Sequence, residues 1–291
     1  MPLSFTASPL DFSGLERPNT DWLRAQHEHK DAQIVLFHGL DLIEAQPSTP
    51  MVAAIRFISM DDLDSLGPIY LGQVEGTPWF AASLAQAHGE KPAWNFRAAT
   101  MALPHDIAAI AGRARALLAW HGRRRFCSNC GGHNHPKDGG LRLQCGSCEM
   151  EHFPRIDPCV IMLVHCGERC LLGRQANWPD GAYTTLAGFM EPGETIEEAC
   201  AREVYEESNQ RVIKTEYIAS QPWPFPSSLM IGLLAEITPD QEVIARDDLE
   251  DARWFDRESL RTLLDGPLKA MAPDHYSISR LLLKTWLDRG V

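Results

Sequence analysis

The sequence predicts an α/β sandwich in the second half of the chain, preceded by a short cysteine-bearing module and an N-terminal α+β region. After residue 153, short apolar runs alternate with turn residues and are interleaved with two helical segments, and two Cys-x-x-Cys pairs stand just before them. With 291 residues, of which 44% are hydrophobic, the chain is long enough for about two cored domains. We therefore expect an N-terminal domain at 1–122, a cysteine module at 123–150 and a larger α/β domain at 151–291.

The expected elements follow in chain order. In the first hundred residues, strand-like runs such as Gln33–Phe37 and Ile69–Leu71 mix with turn residues, and no cluster there resembles a catalytic site. The segment His105–Trp120 repeats apolar side chains at helical spacing and predicts a connecting helix. Beyond the cysteines we expect four strands and a final helix, at Cys159–Val164, Arg169–Gly173, Tyr183–Ala187, Leu229–Ile237 and Ser277–Leu287.

The cysteine module carries two pairs of closely spaced thiols. Fourteen residues separate Cys127 and Cys130 from Cys145 and Cys148, a pattern typical of a closed four-thiolate zinc site that stabilises a fold. Two disulfides in a secreted protein are the alternative, but the N-terminus lacks the charged start and apolar core of a signal peptide. We therefore expect one structural zinc ion per chain in a cytoplasmic protein. The remaining cysteines lack paired spacing and are expected in the core: Cys159, Cys166, Cys170 and Cys200.

Composition and charge exclude some classes of partner. No apolar run approaches the roughly 20 residues needed to span a bilayer, so we expect no membrane association. The formal net charge of -12 argues against broad attraction to nucleic acid or acidic lipid. The basic cluster Arg123–Arg125 could meet a polyanion, although a solvated face is the more common role of such a cluster.

The segment Gly188–Gln210 carries the strongest chemical signal. If a helix follows Glu194, then Glu203, Glu206 and Glu207 share one face at i, i+3 and i+4. Like charges at this spacing cost about 0.2–0.5 kcal/mol per pair, which a bound cation would offset. Oxygen ligands favour Mg²⁺ or Mn²⁺, which typically act together with substrate phosphates. Solvated glutamates are the ordinary alternative, but an apolar stripe beside them indicates a helix fixed against a core: Ile196, Ala199, Cys200 and Val204.

This segment resembles the box of the Nudix hydrolases. That box reads Gly, five residues, Glu, seven residues, Arg-Glu-aliphatic-x-Glu-Glu-x-Gly-aliphatic. The chain departs from it at Asn209, where the family has Gly, and at Gln210, where the family has an aliphatic residue. Asn tolerates a left-handed helix terminus, and Val212 or Ile213 could replace the missing apolar contact. The residues that match are Gly188, Glu194, Arg202, Glu203, Val204, Glu206 and Glu207.

A second segment, Ser220–Ser228, narrows the substrate class. Three prolines in seven residues exclude a helix or a central strand, so we expect a stiff loop that presents Trp223 and Phe225. From the residues alone, stacking on a flat ligand and packing at a subunit contact are both open. The amino-acid sequence of this loop is similar to the signature that separates NADH pyrophosphatases from other Nudix hydrolases. A dinucleotide would then be a substrate, since the chain has no Rossmann glycine motif for a redox cofactor.

The resemblance implies a fold, a reaction and roles for individual residues. The fold is a Nudix α/β/α sandwich with a mixed sheet. The reaction is divalent-metal-dependent cleavage of NADH or NAD⁺ into nicotinamide mononucleotide and AMP, and removal of NAD caps from RNA is a further implied activity. Arg202 is expected to orient the glutamates. The implied metal ligands are Glu203, Glu206, Glu207 and Asp248, which stands where relatives have a glutamate; the implied substrate contacts are Phe153, Phe189, Gln221, Trp223, Ser228 and Ser279, with Trp223 in a site formed by a homodimer.

Two other functions stay open from the sequence. The first is a Nudix hydrolase of another nucleoside diphosphate derivative, such as ADP-ribose or a diadenosine polyphosphate. The second is a catalytically weakened zinc-ribbon binding protein, which the departures at Asn209, Gln210 and Asp248 allow and the intact box glutamates oppose. Turnover of these substrates side by side would separate the three functions.

Overall fold

A computed structural model describes residues 2–46, 49–50, 52–54, 68–84, 93–238 and 241–289. The chain forms two compact units. The C-terminal unit contains the first residues up to Ser4, together with Ile156–Trp223 and the chain from Ser228 onward. The N-terminal unit contains Phe5–Arg155 and the short segment Pro224–Ser227. Within the described residues, no helix combines the length and the apolar character that crossing a bilayer requires.

The N-terminal unit is built around a sheet with a helix layer. Its central strand β1 runs parallel to β6 and antiparallel to β2, and its side chains Ile34 and Leu36 are buried among apolar neighbours. The strands are β1 Gln33–His38, β2 Asp41–Gln46, β3 Thr49–Pro50, β4 Val52–Ala54, β5 Ile69–Val74, β6 Thr77–Leu84 and β7 Ala93–Trp94; the helices are α1 Thr20–His27, α2 Phe96–Ala102 and α3 His105–Arg123. The expected connecting helix is therefore confirmed and continues three residues beyond Trp120.

The cysteine module is a small antiparallel sheet at the end of the same unit. Its three strands are ordered β10-β9-β8, and a 3-10 turn at Asp138–Gly140 joins the first two in the chain. The bounds are β8 Asn134–Lys137, β9 Arg142–Cys145 and β10 Glu151–His152.

The C-terminal unit is an α/β/α sandwich around a mixed six-stranded sheet. Its order is β14-β15-β11-β12-β16, with β13 paired to β11; β11 is parallel to β15 and antiparallel to its other partners. The strands are β11 Asp157–Cys166, β12 Arg169–Arg174, β13 Leu186–Phe189, β14 Val212–Trp223, β15 Ser228–Ile237 and β16 Asp251–Asp256; the helices are α4 Ile196–Ser208, α5 Arg257–Asp265, α6 Pro267–Met271 and α7 Ile278–Asp288.

Alternation along β11 explains the layers. Val160, Met162 and Val164 join the core cluster that contains residues of α4, whereas Ile161 and Leu163 join the cluster that contains residues of α5 and α7. A strand that is apolar on both faces lies in the middle of a sheet with helices on each side. The sandwich expected from the sequence is confirmed.

Two expectations are wrong in detail. The segment Tyr183–Ala187 was expected to be a strand, but β13 begins at Leu186, and Thr184 forms only an isolated bridge with Gly173. The segment Ser220–Ser228 was expected to be a loop throughout, but β14 continues to Trp223 and pairs with β15. Because β14 is an edge strand of this sheet, a proline without an amide proton is tolerated there.

Candidate active site and zinc ribbon

Helix α4 is fixed at both ends. Thr195 accepts a hydrogen bond from the Glu198 backbone while the Glu198 side chain accepts one from the Thr195 backbone, which is a complete capping box. At the other end Asn209 takes the left-handed conformation, with φ of 63°, as expected for the residue that replaces the family's glycine. The apolar stripe of α4 lies in the core, so the position of its acidic side is determined by packing.

The three box glutamates do not share one environment. Glu203 and Glu207 are buried, with 8% and 6% of their surfaces exposed, whereas Glu206 is exposed. Burial removes water that would stabilise a charged carboxylate, and it raises the pKa of Glu207 to about 8, with the nearby Glu203 as the second cause. Burial also raises the pKa of Glu203, although Arg202 opposes the change. Two carboxylates are thus held close together away from water.

Strand β13 brings a glycine against this pair. A Cβ atom at Gly188 would overlap the carboxyl group of Glu203, so a larger residue here would displace the glutamate. The glycine is therefore needed here for space. The backbone of the preceding Ala187 donates a hydrogen bond to Glu207. The other oxygen of that carboxylate, Oε2, is buried and has no hydrogen-bond partner among the described residues.

Arg202 ties the acidic groups together. Its Nε and Nη2 atoms donate to the two oxygens of Glu194 at 2.5 and 2.9 Å, and its Nη1 atom donates to Glu203 and Glu206 at 2.9 Å each. A fifth bond, from Nη2 to the carbonyl of Phe189, fixes the end of β13. All three nitrogen atoms of the guanidinium are used in these hydrogen bonds, so Arg202 orients the carboxylates. The bidentate pair with Arg202 lowers the pKa of the Glu194 carboxyl to about 2.

The loop after β15 carries two aspartates toward the same region. The amide of Arg246 donates to the Glu207 carbonyl at 3.1 Å, which holds the loop at the end of α4. Asp247 and Asp248 are both exposed, and both contribute to the raised pKa of Glu207, Asp247 more strongly. The sequence reasoning singled out Asp248 and missed Asp247, although the acidic doublet was visible in the sequence.

These residues fit a divalent cation. The donor groups are hard oxygen atoms, and one buried oxygen of Glu207 lacks a partner within the described part of the chain. Positive charge would stabilise the buried pair of carboxylates. Cys159 lies near these glutamates. Burial, together with the charges of Glu203 and Glu207, raises the pKa of its thiol to about 12. Mg²⁺ and Mn²⁺ prefer hard oxygen ligands to a thiol, so the carboxylates would hold the cation.

The aromatic residues expected to contact substrate occupy separate places. Phe189 ends β13 in the C-terminal unit and leaves 58% of its surface exposed, while Phe153 belongs to the N-terminal unit and leaves 63% exposed. Trp223 ends β14 and packs edge-on against Tyr276, with 5.5 Å between the ring centres.

Gln221 is fully buried and uses its amide inside the protein. Its Nε2 atom donates to the carbonyls of Ser4 and Tyr276 at 2.9 Å, and its Oε1 atom accepts from the Ile278 amide at 2.8 Å. These bonds hold the start of α7, where Ser279 is also buried and its hydroxyl bonds those of Thr184 and Thr185. The last expected contact, Ser228, is buried as the first residue of β15.

The four thiols of the cysteine module converge. The sulfur atoms of Cys127, Cys130, Cys145 and Cys148 all lie within 4.8 Å of one another, and the two closest pairs are 3.4 and 3.7 Å apart. Tetrahedral zinc with bonds of about 2.3 Å requires sulfur separations of about 3.8 Å, so the donors fit zinc. Amide hydrogen bonds from Cys148 and Ser147 lower the pKa of Cys145 to about 6, which favours the thiolate.

The other cysteines pack as apolar residues. Cys159, Cys170 and Cys200 are buried, and Cys166 packs at the edge of the α4 core. All eight cysteines lie within the described residues and are free of disulfides. The expectation from spacing is confirmed for both groups.

Family models match three consecutive stretches of the chain. They are the NADH pyrophosphatase-like rudimentary NUDIX domain at residues 31–120, the NADH pyrophosphatase zinc ribbon domain at 123–153, and the NUDIX domain at 155–282. The ribbon model contains all four converging cysteines, and the NUDIX model contains α4 and its glutamates.

Curated relatives match most of the chain. NAD-capped RNA hydrolase NUDT12 of Homo sapiens is 33% identical and the match covers 97% of this chain and 73% of the relative. NAD-capped RNA hydrolase NudC of Stutzerimonas stutzeri is 37% identical over 75% of this chain and 77% of its own. The protein of the same name from Pseudomonas aeruginosa PAO1 is 34% identical over 96% and 85%. The chain therefore belongs to the Nudix hydrolase family, in the group that carries the NADH pyrophosphatase zinc ribbon.

Proposed function

We propose that this Nudix hydrolase cleaves the pyrophosphate bond of NADH and NAD⁺ to give nicotinamide mononucleotide and AMP. The observation that carries the proposal is the buried pair Glu203 and Glu207, whose partnerless oxygen and raised pKa suit a cation that binds with phosphate. The relatives named as NAD-capped RNA hydrolases supply the substrate class.

The roles of the acidic residues follow from their positions. Glu203, Glu206, Glu207 and Asp248 would hold Mg²⁺ or Mn²⁺, which when bound neutralises phosphate oxygens and lowers the pKa of water. Arg202 keeps Glu203 and Glu206 in position through its hydrogen bonds. The proton of the attacking water would go to a carboxylate of this group, either a box glutamate or Asp248.

Substrate contacts form the second part of the proposal. Phe153 and Phe189 offer exposed rings that would stack on nicotinamide, and Trp223 would complete the site in a homodimer. Ser228 and Ser279 would contact the substrate from the start of β15 and of α7. Gln221 would act by holding the first turn of α7 in place, since its amide bonds the Ile278 backbone.

Removal of NAD caps from RNA is a second function of the same site. The three relatives described above are named as NAD-capped RNA hydrolases. Arg123 and Arg125 are exposed at the start of the zinc ribbon and offer positive charge for an RNA backbone. If these arginines bind the RNA backbone, added salt should lower kcat/KM for NAD-capped RNA more than kcat/KM for NADH.

One assay tests these proposals together. Purified protein with Mg²⁺ or Mn²⁺ would be offered NADH, NAD⁺, ADP-ribose, diadenosine polyphosphates and NAD-capped RNA, with products separated by chromatography. We expect nicotinamide mononucleotide from NADH at the highest kcat/KM. A preference for ADP-ribose would indicate a different Nudix substrate, and no turnover of any compound would indicate a binding protein.

Three further points complete the proposal. We propose that the chain divides into an N-terminal domain at 1–122, a zinc ribbon at 123–150 and a Nudix domain at 151–291. A cytoplasmic location suits the zinc thiolates, which persist where thiols stay reduced. A homodimer would be visible as twice the 32.5 kDa chain mass in light scattering.

A further inference from the structure

The tip of the aromatic-proline segment, Pro224–Ser227, belongs to the N-terminal unit, while its flanking residues belong to strands β14 and β15. Within the N-terminal unit the ring of Phe225 has aromatic neighbours on two sides. Its centre lies 6.3 Å from that of Phe5 and 5.8 Å from that of Phe96, both in edge-on arrangements. The sequence left Phe225 open to stacking on a flat ligand or to packing at a subunit contact, whereas in the structure its ring packs within the N-terminal unit.

Two arginines also contact this ring. The guanidinium carbon of Arg97 lies 4.7 Å from the centre of Phe225, and that of Arg115 lies 5.0 Å from it. Cation–π contacts of this kind contribute about 0.5–2 kcal/mol, more when they are shielded from water. Phe225 is therefore held by four side chains from the first 115 residues of the chain.

Arg115 makes the contacts that fix the backbone of the tip. From helix α3, its Nη1 atom donates to the carbonyl of Pro224, and its Nε atom donates to the carbonyl of Leu40 at 3.2 Å. The helix approaches closely, because a Cβ atom at Gly112 would lie 2.8 Å from Phe5 and 3.5 Å from Pro224. One guanidinium thus bonds the loop tip and the β1–β2 turn at once.

We propose that Arg115 is a positioning residue for the dinucleotide substrate, acting by holding Pro224 and Phe225 and so fixing the neighbouring Trp223. The proposal rests on the proposed function, in which Trp223 contacts substrate. Proline fixes the backbone angle φ, so the run from Pro222 to Pro226 is stiff and a shift of its tip reaches Trp223. The N-terminal unit thereby acquires a role in substrate selection besides its own folding.

The matched control for Arg115 is Arg113, two residues earlier in the same helix. Arg113 also donates from Nε to a backbone carbonyl, that of Leu71 at 3.0 Å, and its guanidinium carbon lies 3.8 Å from the ring of Phe12. Arg113→Met therefore removes a similar set of contacts that does not involve the tip. A loss of stability alone should be similar in Arg113→Met and Arg115→Met.

Kinetics and hydrogen exchange would be measured on the full chain with its zinc. For Arg115→Met we expect KM for NADH to rise about three- to tenfold with kcat within twofold, and KM for ADP-ribose to change less than twofold. Arg115→Lys, which keeps the charge without the planar fork, should fall between wild type and Arg115→Met. The amides of Phe225 and Ser227 should exchange at least about tenfold faster in Arg115→Met and unchanged in Arg113→Met. Phe225→Leu offers the same readouts if Arg115→Met does not fold.

Different outcomes would overturn the role of Arg115 and the proposed hydrolysis of NADH and NAD⁺. A wild type inactive on every dinucleotide would overturn the proposed function, and this role of Arg115 with it. An active wild type whose NADH KM responds equally to both arginine variants, or whose tip amides exchange at the same rate in both, would overturn the role of Arg115 alone.

Discussion

Replacing Glu207 by Gln should make the cation-free protein more stable at alkaline pH while removing its activity. The side chain keeps its volume, and Glu203 is then the one carboxyl of the buried pair that can still ionise. In the wild type the pKa of Glu207 rises from an ordinary 4.5 to about 8 on folding, mainly through burial. At 1.36 kcal/mol per unit, this corresponds to about 5 kcal/mol between the protonated and the ionised site.

The sign of the pH dependence follows from this direction. A carboxyl whose pKa is raised in the folded state binds its proton more tightly there, so the associated stability is fully present below about pH 4.5 and lost as pH rises through about 8. In EDTA, with the zinc retained, wild-type Tm should therefore fall between pH 5 and 9 by on the order of 10 °C more than that of Glu207→Gln. Divalent cation should reverse the loss in the wild type only.

Two controls make the result specific. Glu206→Gln changes an exposed glutamate on the same helix and should leave the pH slope of Tm at its wild-type value. Turnover of NADH by Glu207→Gln should fall at least about a hundredfold, the scale of a lost electrostatic group in an active site. Parallel Tm curves for wild type and Glu207→Gln would refute the burial argument, and turnover within a few-fold of wild type would refute the site assignment.

Three further predictions concern zinc, aromatic contacts and the arginine of the box. Cys148→Ser should lower the zinc content from about one ion per chain and lower stability, since a closed thiolate site contributes to folding; zinc-free protein of full stability would contradict this. Phe153→Ala, Phe189→Ala and Trp223→Ala should each lower kcat/KM for NADH a few-fold to about tenfold more than for ADP-ribose, and equal losses would place the rings outside the nicotinamide site. Trp223→Ala should also weaken dimer association in light scattering. Arg202→Lys should lower kcat for NADH about tenfold or more, because an ammonium has three donors and no planar fork and cannot reproduce the four hydrogen bonds that the guanidinium makes to Glu194, Glu203 and Glu206. An unchanged kcat would exclude the orienting role.

The sequence predicted the site residues that share a local pattern. Helical spacing was enough to place Glu203 and Glu207 on one side of α4, and thiol spacing was enough to bring four cysteines together, because both depend on residues close in the chain. It could not predict which glutamates are buried. That depends on β13, which lies against α4 only after the sheet forms and whose Gly188 leaves room for Glu203.

Local sequence patterns also could not predict contacts between residues that are far apart in the chain. Proline content identified the stiff segment before Ser228 but suggested a loop where β14 continues to Trp223, because edge position is a property of the whole sheet. The missing aliphatic residue of the box was expected to be replaced by Val212 or Ile213. Val212 does pack at the edge of the α4 core, whereas Ile213 is exposed.

Gln210, the second departure from the family pattern, ties the box to a segment outside it, so the box cannot be transferred to another protein by itself. Its fully buried amide donates to the carbonyls of Gln241 and Glu242 at 3.2 Å, and Asn209 bonds the same Glu242 carbonyl. Grafting residues 188–210 into another Nudix protein would bury an unpaired amide, at a cost of about 1–3 kcal/mol. A designed chimera should therefore contain both the box and the segment with Gln241 and Glu242, whose carbonyls accept the hydrogen bonds of Gln210.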